Sequence, residues 1–548
     1  MINIYWNLTE DNISLKASEI NIIAYIEKNK KDLRKKYKEI IKKIRNIKVE
    51  NQSIYNLTKI DIHHNLYDCS TIEEKSFYKS KGILSSLKIL ALTKILKNFK
   101  IKKIKIINVP KKEKKIINEL IAKKKIELEY EDNFKESSKI KNLKDIYDFM
   151  PNFIKANYQI LKKLYLKIFF KKNLFINEQF ENLFYSNTYY LKYKYKKNTK
   201  LQNKLLGSIC NVSKSPQLLI CHYDKNFSSE VQANKYFYKQ KNNFSFATIN
   251  SLITLKIIFI VLIKYYKIYF FSKKLDLIKS KIKNDKYLRY FFPLLEDDWN
   301  KSFKGITAVE NLIFIYISKF FFSKNSIKKN FYYICENQGW EKIFVKSFKI
   351  FNPKSKAIGV INASIRYWDF RYSFTTSKNN ISPDIVFVNK INSFDRKFFK
   401  KNFCKKIVFK NNIFDKYQIK KLKKKKKKQK ILIYGDIIKE NNILLFKILN
   451  KNKFAVKIKF DFKPHPSTLI NINDFKNLNI KEIASVNSTY DKILTVGGTG
   501  GIYDAVNYTK NVGVFVPIGK INFAPNLNNK GIKIINNFNN LDNFLIKK

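Results

Sequence analysis

The stretch Lys463-Pro464-His465-Pro466-Ser467 holds a histidine between two prolines, directly after an alternating apolar run. Proline fixes φ and pushes the residue before it into an extended conformation, so this loop is stiff and aims His465 in one direction. The imidazole N–H can donate to a phosphate oxygen, and Ser467 can cap a following helix whose amides also favour an anion. A purely structural loop would use the same residues, so the segment alone leaves both interpretations open.

Two later segments are also rich in groups that bind anions. In Ser485–Thr489 (SVNST), Ser488 and Thr489 can bond phosphate or carboxylate oxygens, or can cap a helix. The segment TVGGTGGIYDAV, from 495 to 506, holds four of the chain's thirteen glycines within five positions. Such a turn exposes backbone N–H groups to an anion, here around Gly498, Thr499 and Gly500, although a tight turn needing positive φ would look alike. Asp504 follows inside the next helix, where it can accept from ribose hydroxyls.

The elements between these segments indicate how they are positioned. Short apolar runs alternate with helical stretches from residue 430 onward, as in ILIYGD, VKIKFDF, KILTV and VGVFVP. This alternation predicts an α/β domain of Rossmann type over 430–548. All three segments then follow strands, and the carboxyl ends of parallel strands are where such sheets bind ligands.

An upstream α/β domain is predicted over 206–419. The run QLLIC leads into His222-Tyr223-Asp224, and FYYIC leads into Glu336, a helix and the strand KAIGVI. This strand–helix–strand pattern is typical of a parallel unit. A lysine run marks a linker at 420–429, and residues 1–205 are predicted to be a Lys-rich, mostly helical extension with strand-like pieces such as 101–109.

Composition limits the partners. The formal charge of +65 on 548 residues would suggest nucleic acid, but arginine is scarce and lysine is spread throughout. Because arginine is the residue that reads phosphate and guanine bidentately, no nucleic-acid partner is expected. An anionic membrane surface or an anionic substrate fits the charge better.

The compartment follows from cysteine usage and from the N-terminus. Five cysteines without CxxC spacing indicate buried free thiols in a reducing compartment, and MINIYWNLTEDN does not read as a signal peptide, so cytoplasmic residence is expected. The apolar segment 252–271 carries a stripe of lysines, which favours a core helix or one lying at the membrane interface over a membrane span. Peripheral attachment to the inner face of the plasma membrane is therefore a further expectation.

The order of motifs resembles a known family. K-P-H-P, then S-x-x-S-T, the Gly-rich turn with D-A, and Asn522-Phe-Ala-Pro525 resemble the C-terminal half of bacterial surface-carbohydrate glycosyltransferases of GT-B architecture. CHYD (221–224), DDWNKSFKG (297–305) and ENQGWE (336–341) resemble the large surface carbohydrate biosynthesis proteins within that group. The likeness covers about 210–548 and implies two facing Rossmann-like domains.

The resemblance also implies roles for individual residues. A nucleotide-sugar, CMP-linked in the similar sialyl and capsule transferases, would bind the C-terminal domain through Lys463, His465, Ser467, Ser488 and Thr489. A carboxylate from the upstream domain would act as base. Glu336 ends a strand and is the first choice, while Glu341 sits in the first turn of the next helix and can also suit the helix dipole.

The acceptor side is assigned to His222, Asp224, Glu341 and Asp369. Relatives often carry a histidine after the strand corresponding to KAIGVI, where this chain has Asn362-Ala363-Ser364, so that acceptor contact is expected to be either missing or replaced by Arg366 or Asp369. No metal and no cofactor beyond the nucleotide-sugar substrate are expected, because Asp297-Asp298 is predicted to precede a helix and does not form a DxD at a strand end.

The function expected is transfer of a sugar from a nucleotide donor to a glycan or lipid-linked glycan, in lipopolysaccharide O-antigen or capsule synthesis. Two rivals remain open. A polyol-phosphate transferase of the teichoic-acid type would use the same phosphate-holding loop, and a non-catalytic glycan-assembly protein would keep the fold without turnover.

Overall fold

The computed structural model of the chain describes residues 1–7, 19–132, 147, 150–169, 178–188, 191–192, 202–203, 216–223, 229–238, 244–275, 281–282, 284–285, 288–361, 365–373, 381–389, 403–410, 430–465, 468–486, 490–517, 519–524 and 532–546.

The first part of the chain combines short strands with helices. Its elements are β1 (Ile2–Tyr5), β2 (Glu19–Asn21), α1 (Ile22–Lys28), α2 (Lys30–Asn46), β3 (Lys48–Val49), β4 (Gln52–Ser53), α3 (Ile54–Leu57), α4 (Thr71–Glu74), α5 (Gly82–Asn98), β5 (Lys103–Ile107), α6 (Lys111–Ile121), β6 (Glu127–Glu131) and α7 (Asn152–Phe169).

A four-stranded parallel sheet organises this region, in the order β2-β1-β5-β6. The strand predicted at 101–109 is confirmed as β5, and α6 begins directly after Pro110, a residue that suits a helix start. Most of the residues in its regular elements are helical, as predicted, but the region does not form a separate extension. Its core residues, among them Ile4 and Ile104, belong to the same buried cluster as Trp299 and Phe344 further along the chain.

The middle of the chain holds the largest sheet. Its elements are β7 (Gln179–Asn187), β8 (Leu191–Lys192), β9 (Gln202–Asn203), β10 (Gln217–His222), α8 (Glu230–Tyr238), β11 (Phe244–Thr248), α9 (Leu255–Leu275), α10 (Leu288–Lys304), α11 (Ile306–Lys324), β12 (Ser326–Ile334), α12 (Gly339–Phe351), β13 (Lys356–Ile361), β14 (Ile385–Asn389) and β15 (Lys406–Lys410).

Seven of these strands form an all-parallel sheet in the order β11-β10-β7-β12-β13-β14-β15. Counted from β7, this is the doubly wound order 3-2-1-4-5-6 with one strand added, so the strand order reverses between β7 and β12. The predicted boundary at 205/206 is wrong, because β7 pairs with both β10 and β12 at the centre of the sheet. Glu181 and Asn182 interrupt the apolar run of β7, which hid the strand in the sequence.

The last part forms a second doubly wound unit. Its elements are β16 (Lys430–Tyr434), α13 (Lys439–Asn450), β17 (Lys459–Lys463), β18 (Ile480–Glu482), β19 (Lys492–Val496), α14 (Gly501–Tyr508), β20 (Val512–Phe515), β21 (Ile532–Ile535) and α15 (Phe538–Ile546). The six-stranded parallel sheet has the order β18-β17-β16-β19-β20-β21, or 3-2-1-4-5-6. Every residue of β19 is buried, as expected of a parallel strand covered on both faces. The predicted α/β unit starting at 430 is present.

Two long apolar helices bear on the membrane question. Residues 255–271 of the apolar segment lie in α9, which buries Ile257, Val261 and Tyr265. Within the described residues, α11 is long and apolar enough to cross a membrane, but 61% of that window is buried inside the protein. It contacts α7, α9, α10 and α12, so it acts as a core helix.

Candidate functional site

The reversal point of the six-stranded sheet brings together an acid and the Gly-rich turn. Asp436 follows β16 and accepts hydrogen bonds from the Ile437 amide (2.8 Å) and from Asn441 Nδ2 (2.7 Å). Burial raises the pKa of its carboxyl, opposed by the Asn441 bond and by the charge of Arg366. Sequence reasoning missed Asp436, although a Gly-Asp pair directly after the first strand of a doubly wound unit was a readable signal.

The glycines of this turn let atoms of other segments approach the backbone closely, in addition to exposing backbone amides. Gly497 has φ +55°, and a Cβ there would lie less than 3.0 Å from Asp436 Oδ2. A Cβ at Gly498 would lie 2.9 Å from Arg366 Nε and 3.0 Å from the Phe523 carbonyl oxygen. The predicted donor-binding role of Gly498 therefore competes with contacts inside the protein, whereas Gly500 is exposed at the start of α14.

The histidine loop lies beside this turn. The His465 carbonyl accepts from the Thr468 amide (2.9 Å), and Thr468 Oγ1 donates to the Ile437 carbonyl (2.9 Å), which ties the loop to the segment that follows Asp436. Burial lowers the pKa of His465, and Asp436 opposes that shift. The lowered pKa favours the neutral ring, which keeps one N–H that can donate. Lys463 ends β17 with its Nζ 5.4 Å from the centre of the Tyr434 ring.

Of the remaining predicted donor-side residues, two are described by the structure and three are not. Thr499 is buried in the turn and its Oγ1 accepts from the Gly501 amide (3.3 Å), while Asp504 is half-buried in the first turn of α14. Ser467, Ser488 and Thr489 lie outside the described residues, as does Asp224 on the acceptor side.

Across from the six-stranded sheet, three charged side chains form one network. Asp369 and Arg371 pair through two bonds, Nε–Oδ1 at 2.9 Å and Nη2–Oδ2 at 2.7 Å. Burial disfavours the charged form of Asp369, but Arg371 outweighs it and holds the pKa of Asp369 below its usual value. Arg371 Nη1 also lies 3.5 Å from Glu336 Oε2 at the end of β12. Glu336 keeps about a third of its side chain exposed, so a ligand can reach it.

Glu341 is a buried support for this network and does not line the acceptor side as predicted. Its carboxyl accepts from the backbone amides of Glu336 (3.1 and 3.0 Å) and Asn337 (2.7 Å), where Asn337 has φ +57°. Burial raises its pKa well above the usual value, and the nearby Glu336 charge adds to the effect. The helix-dipole interpretation was also incomplete, because the side chain turns back to hold the loop that carries Glu336.

Direct contacts join the two halves of the site. Arg366 Nη2 donates to the Gly498 carbonyl, and its guanidinium lies 6.0 Å from the Tyr78 ring centre. Glu27 Oε1 accepts from Trp368 Nε1 (2.8 Å) and from the Asn522 amide (2.9 Å). The N-terminal region therefore bridges the segment after β13 and the loop after β20.

A cavity of about 470 Å³ opens where the seven-stranded sheet reverses its order. Asn187 from β7 and His222 from β10 line it, with Gln338 and Trp340 beyond the end of β12. Trp340 stacks on Tyr185 (4.5 Å between centres), and Tyr185 Oη lies 2.8 Å from His222 Nε2. Burial lowers the pKa of His222 to about 3, so the ring is a neutral hydrogen-bonding group and a weak base.

The same cavity also holds charged groups that sequence reasoning missed. Lys163 Nζ donates to Asn250 Oδ1 (2.6 Å), and Asn250 Nδ2 donates to Glu230 Oε2 (2.7 Å). Glu230 Oε1 has no hydrogen-bond partner among the described residues, although only 7% of Glu230 is exposed. Burial also raises the pKa of Glu310, which lines the cavity. A polar ligand would satisfy these groups.

A chain of hydrogen bonds links the cavity to Glu336. Lys79 Nζ donates to Gln338 Oε1 (3.1 Å), and Gln338 Nε2 donates to Glu336 Oε2 (2.8 Å). Lys79 precedes α5 and Lys163 lies on α7, both in the N-terminal region. Nothing in their local sequence marks them, because only the fold brings that region to the seven-stranded sheet.

Asp298 and His64 are held by hydrogen bonds within the protein. Asp297 and Asp298 lie within α10 and do not precede a helix as predicted; burial raises the pKa of Asp298 to about 6, and Ser80 Oγ donates to it. His64 is buried between Asp61 and Ser347. Within the described ranges, no group of three or more His, Cys, Asp and Glu side chains could hold a metal ion.

Comparison with known proteins adds no identification: no family model matches the chain, and no curated protein matches it.

Proposed function

We propose that this protein is a glycosyltransferase of bacterial surface-polysaccharide synthesis, acting on lipopolysaccharide O-antigen or capsule, with the two doubly wound units facing each other as in GT-B enzymes. One observation carries the proposal. Two parallel sheets share the order 3-2-1-4-5-6, and Arg366, in the segment after β13 of the larger sheet, donates to Gly498 at the reversal point of the smaller one. Ligands of doubly wound sheets bind at such points, so two ligands would meet in one cleft.

The donor would occupy the six-stranded side. His465 and the exposed Gly500 end of α14 provide N–H groups for a phosphate, and Asp504 provides a carboxylate for ribose hydroxyls. A CMP-linked sugar is the donor implied by the sequence resemblance. The chemistry of the loop also admits UDP-linked donors and, under the polyol-phosphate alternative, CDP-glycerol.

The acceptor would occupy the cavity of the seven-stranded side. An aromatic wall with flanking amides and charges suits a sugar, whose rings present both C–H faces and hydroxyls. Asn187, His222 and Gln338 could each bond a hydroxyl, and the chain from Lys79 through Gln338 points from there to Glu336.

The reaction follows from these positions. Glu336 accepts the proton of the acceptor hydroxyl as its oxygen bonds to the anomeric carbon of the donor. The bond between that carbon and the phosphate oxygen breaks, and the electron pair leaves with the phosphate. The N–H of His465 and the amides at the start of α14 stabilise the charge that develops on the phosphate.

Thermal-shift titration with CMP, UDP and CDP-glycerol tests the donor site. We expect one nucleotide to stabilise the wild-type protein, His465→Ala to lose most of that shift, and Glu336→Gln to keep it. Glu482→Gln, an exposed acid on β18, is the matched control. Lost sugar transfer in Glu336→Gln with binding intact supports the enzyme, whereas retained transfer removes Glu336 as base. If no nucleotide stabilises the chain, the donor site is refuted.

A further inference from the structure

The outward face of α7 carries an exposed apolar stripe. Ile154, Tyr158, Leu161, Tyr165 and Ile168 recur at intervals of three and four residues, and each is between 48% and 68% exposed. Spacing of this kind places the side chains on one side of a helix. The opposite side of α7 is already used for packing, since Ala156 and Ile160 are buried. The helix is therefore apolar on both faces, and one of them is largely exposed.

The neighbouring helix α9 repeats the feature. Leu255, Phe259, Ile263 and Phe270 are between 51% and 63% exposed, while Ile257 and Val261 on its inner side are buried. Both helices thus present a second apolar face outward.

The two faces are continuous because the helices run antiparallel side by side. Phe153 on α7 packs against Tyr269 on α9 with ring centres 4.6 Å apart, and Tyr266 Oη donates to Asn157 Oδ1 (2.9 Å). At the other end, Lys163 reaches Asn250, which lies just before α9. We call this joint surface the α7–α9 face.

The size of the α7–α9 face distinguishes it from scattered surface residues. It holds nine of the 23 large apolar side chains that are exposed among the described residues, without counting the neighbouring Met150 and Leu164. At roughly 100 Å² for each half-exposed side chain, the face offers about 900 Å², more than the few hundred Å² usual for the largest patch of a monomer.

The charge on both helices has one sign. Residues 152–169 and 255–275 contain nine lysines and no Asp or Glu, although the whole chain has 44 acidic residues against 109 basic ones. The general lysine bias therefore does not account for it. At about 100° per residue, Lys155 and Lys162 fall on the edge of α7 away from α9, and Lys256 and Lys267 fall on the edge of α9 away from α7.

We propose that the α7–α9 face docks the protein on an anionic lipid bilayer. Leu, Ile and Phe side chains would enter the interface, tyrosines would sit at headgroup level, and the two lysine rows would contact acidic headgroups. Two antiparallel helices that lie side by side, bordered by lysines, form a broad strip. Such a strip suits the plane of a bilayer better than the recess of a protein partner.

The position of the face adds a consequence that rests on the proposed function. Helix α7 gives Leu161 and Tyr165 to the face and Lys163 to the cavity. Lys163 points to the opposite side of α7 from Leu161, so docking would hold the acceptor cavity about one helix diameter from the bilayer, near a sugar carried on a lipid. The acceptor class inferred is a lipid-linked glycan.

Vesicle co-sedimentation tests the docking. We expect the full chain to bind vesicles of equal phosphatidylcholine and phosphatidylglycerol, and to bind pure phosphatidylcholine much less. Leu161→Glu with Phe259→Glu should weaken binding by about tenfold or more, since each side chain loses the transfer of a large apolar group. The matched control, Phe454→Glu with Val456→Glu, changes similarly exposed residues of the C-terminal unit and should bind like wild type.

Three results of these vesicle and oligomer measurements bear on the proposal. Equal binding by both double variants, or equal binding to the two vesicle types, overturns the proposal. Loss of a dimer in the Leu161→Glu/Phe259→Glu variant, without vesicle binding by wild type, assigns the face to a second copy of the chain. The nucleotide-induced thermal shift should be unchanged in this variant, so failure of docking and failure of the donor site are separately visible.

Discussion

Replacing Gly497 by alanine tests the turn that joins β19 to α14. Two costs add at this position. A residue with a Cβ at φ +55° is strained by about 1–2 kcal/mol. The new methyl would also displace the Asp436 carboxylate and break its bond from Asn441, and a buried polar group left unpaired costs about 1–3 kcal/mol. We expect Gly497→Ala to destabilise the six-stranded unit by about 2–5 kcal/mol.

A double-mutant cycle separates the two costs. Asp436→Ala removes the group that the methyl would strike but leaves the backbone strain. The double variant should therefore be more stable than the sum of the single changes predicts, by about 1–2 kcal/mol. Gly500→Ala is the matched control, since Gly500 has φ −67° and is exposed, and it should change stability by less than about 0.5 kcal/mol.

The assay must report on the right unit. The chain's four tryptophans all precede residue 430, so their fluorescence does not follow the six-stranded sheet. Hydrogen exchange of the β16 and β19 amides follows that sheet directly. The predicted loss of stability should accelerate this exchange roughly thirty-fold or more. Additive single effects, or equal exchange in Gly497→Ala and Gly500→Ala, would refute the packing of Asp436 against this turn.

Three further predictions concern the other half of the site. Because the pKa of His222 is about 3 when folded and near 6.5 when unfolded, stability should fall as the pH drops from 6.5 toward 3, by about 3 kcal/mol at pH 4. Denaturant titrations should show a flatter pH slope for His222→Asn than for the wild-type protein, and equal slopes would contradict this prediction. Glu341→Gln should cost about 1–3 kcal/mol, because its NH₂ group would face backbone donors; retained stability with normal activity would contradict its supporting role. Glu27→Ala should lower the melting temperature and increase exchange at the Asn522 amide, and an unchanged amide would mean that this bridge is absent in solution.

Much of the fold could be predicted from periodicity, because buried parallel strands such as β16 and β19 are continuous apolar runs between helices. Strand β7 was not predicted because Glu181 and Asn182 interrupt its apolar run. The true start of the large sheet was therefore missed. The N-terminal sheet was underestimated although β5 was predicted, because the other strands β1, β2 and β6 are three to five residues long and carry polar side chains.

The site was partly predictable. Placing His465 and the Gly-rich turn at strand ends required only the doubly wound pattern, and the structure puts both beside Asp436. The contacts of Gly498 with Arg366 could not be foreseen, since they join residues 132 positions apart. The cavity lysines were equally hidden, because tertiary packing of the N-terminal region brings them to the large sheet.

Hydrogen exchange with a saturating nucleotide tests the central claim most directly. Using the nucleotide that stabilises the protein most, the peptides that carry Asp436, His465 and Gly497 should all gain protection, and the gain should vanish in His465→Ala. Protection confined to other peptides, or none in these three, would contradict a donor site at the reversal point of the six-stranded sheet.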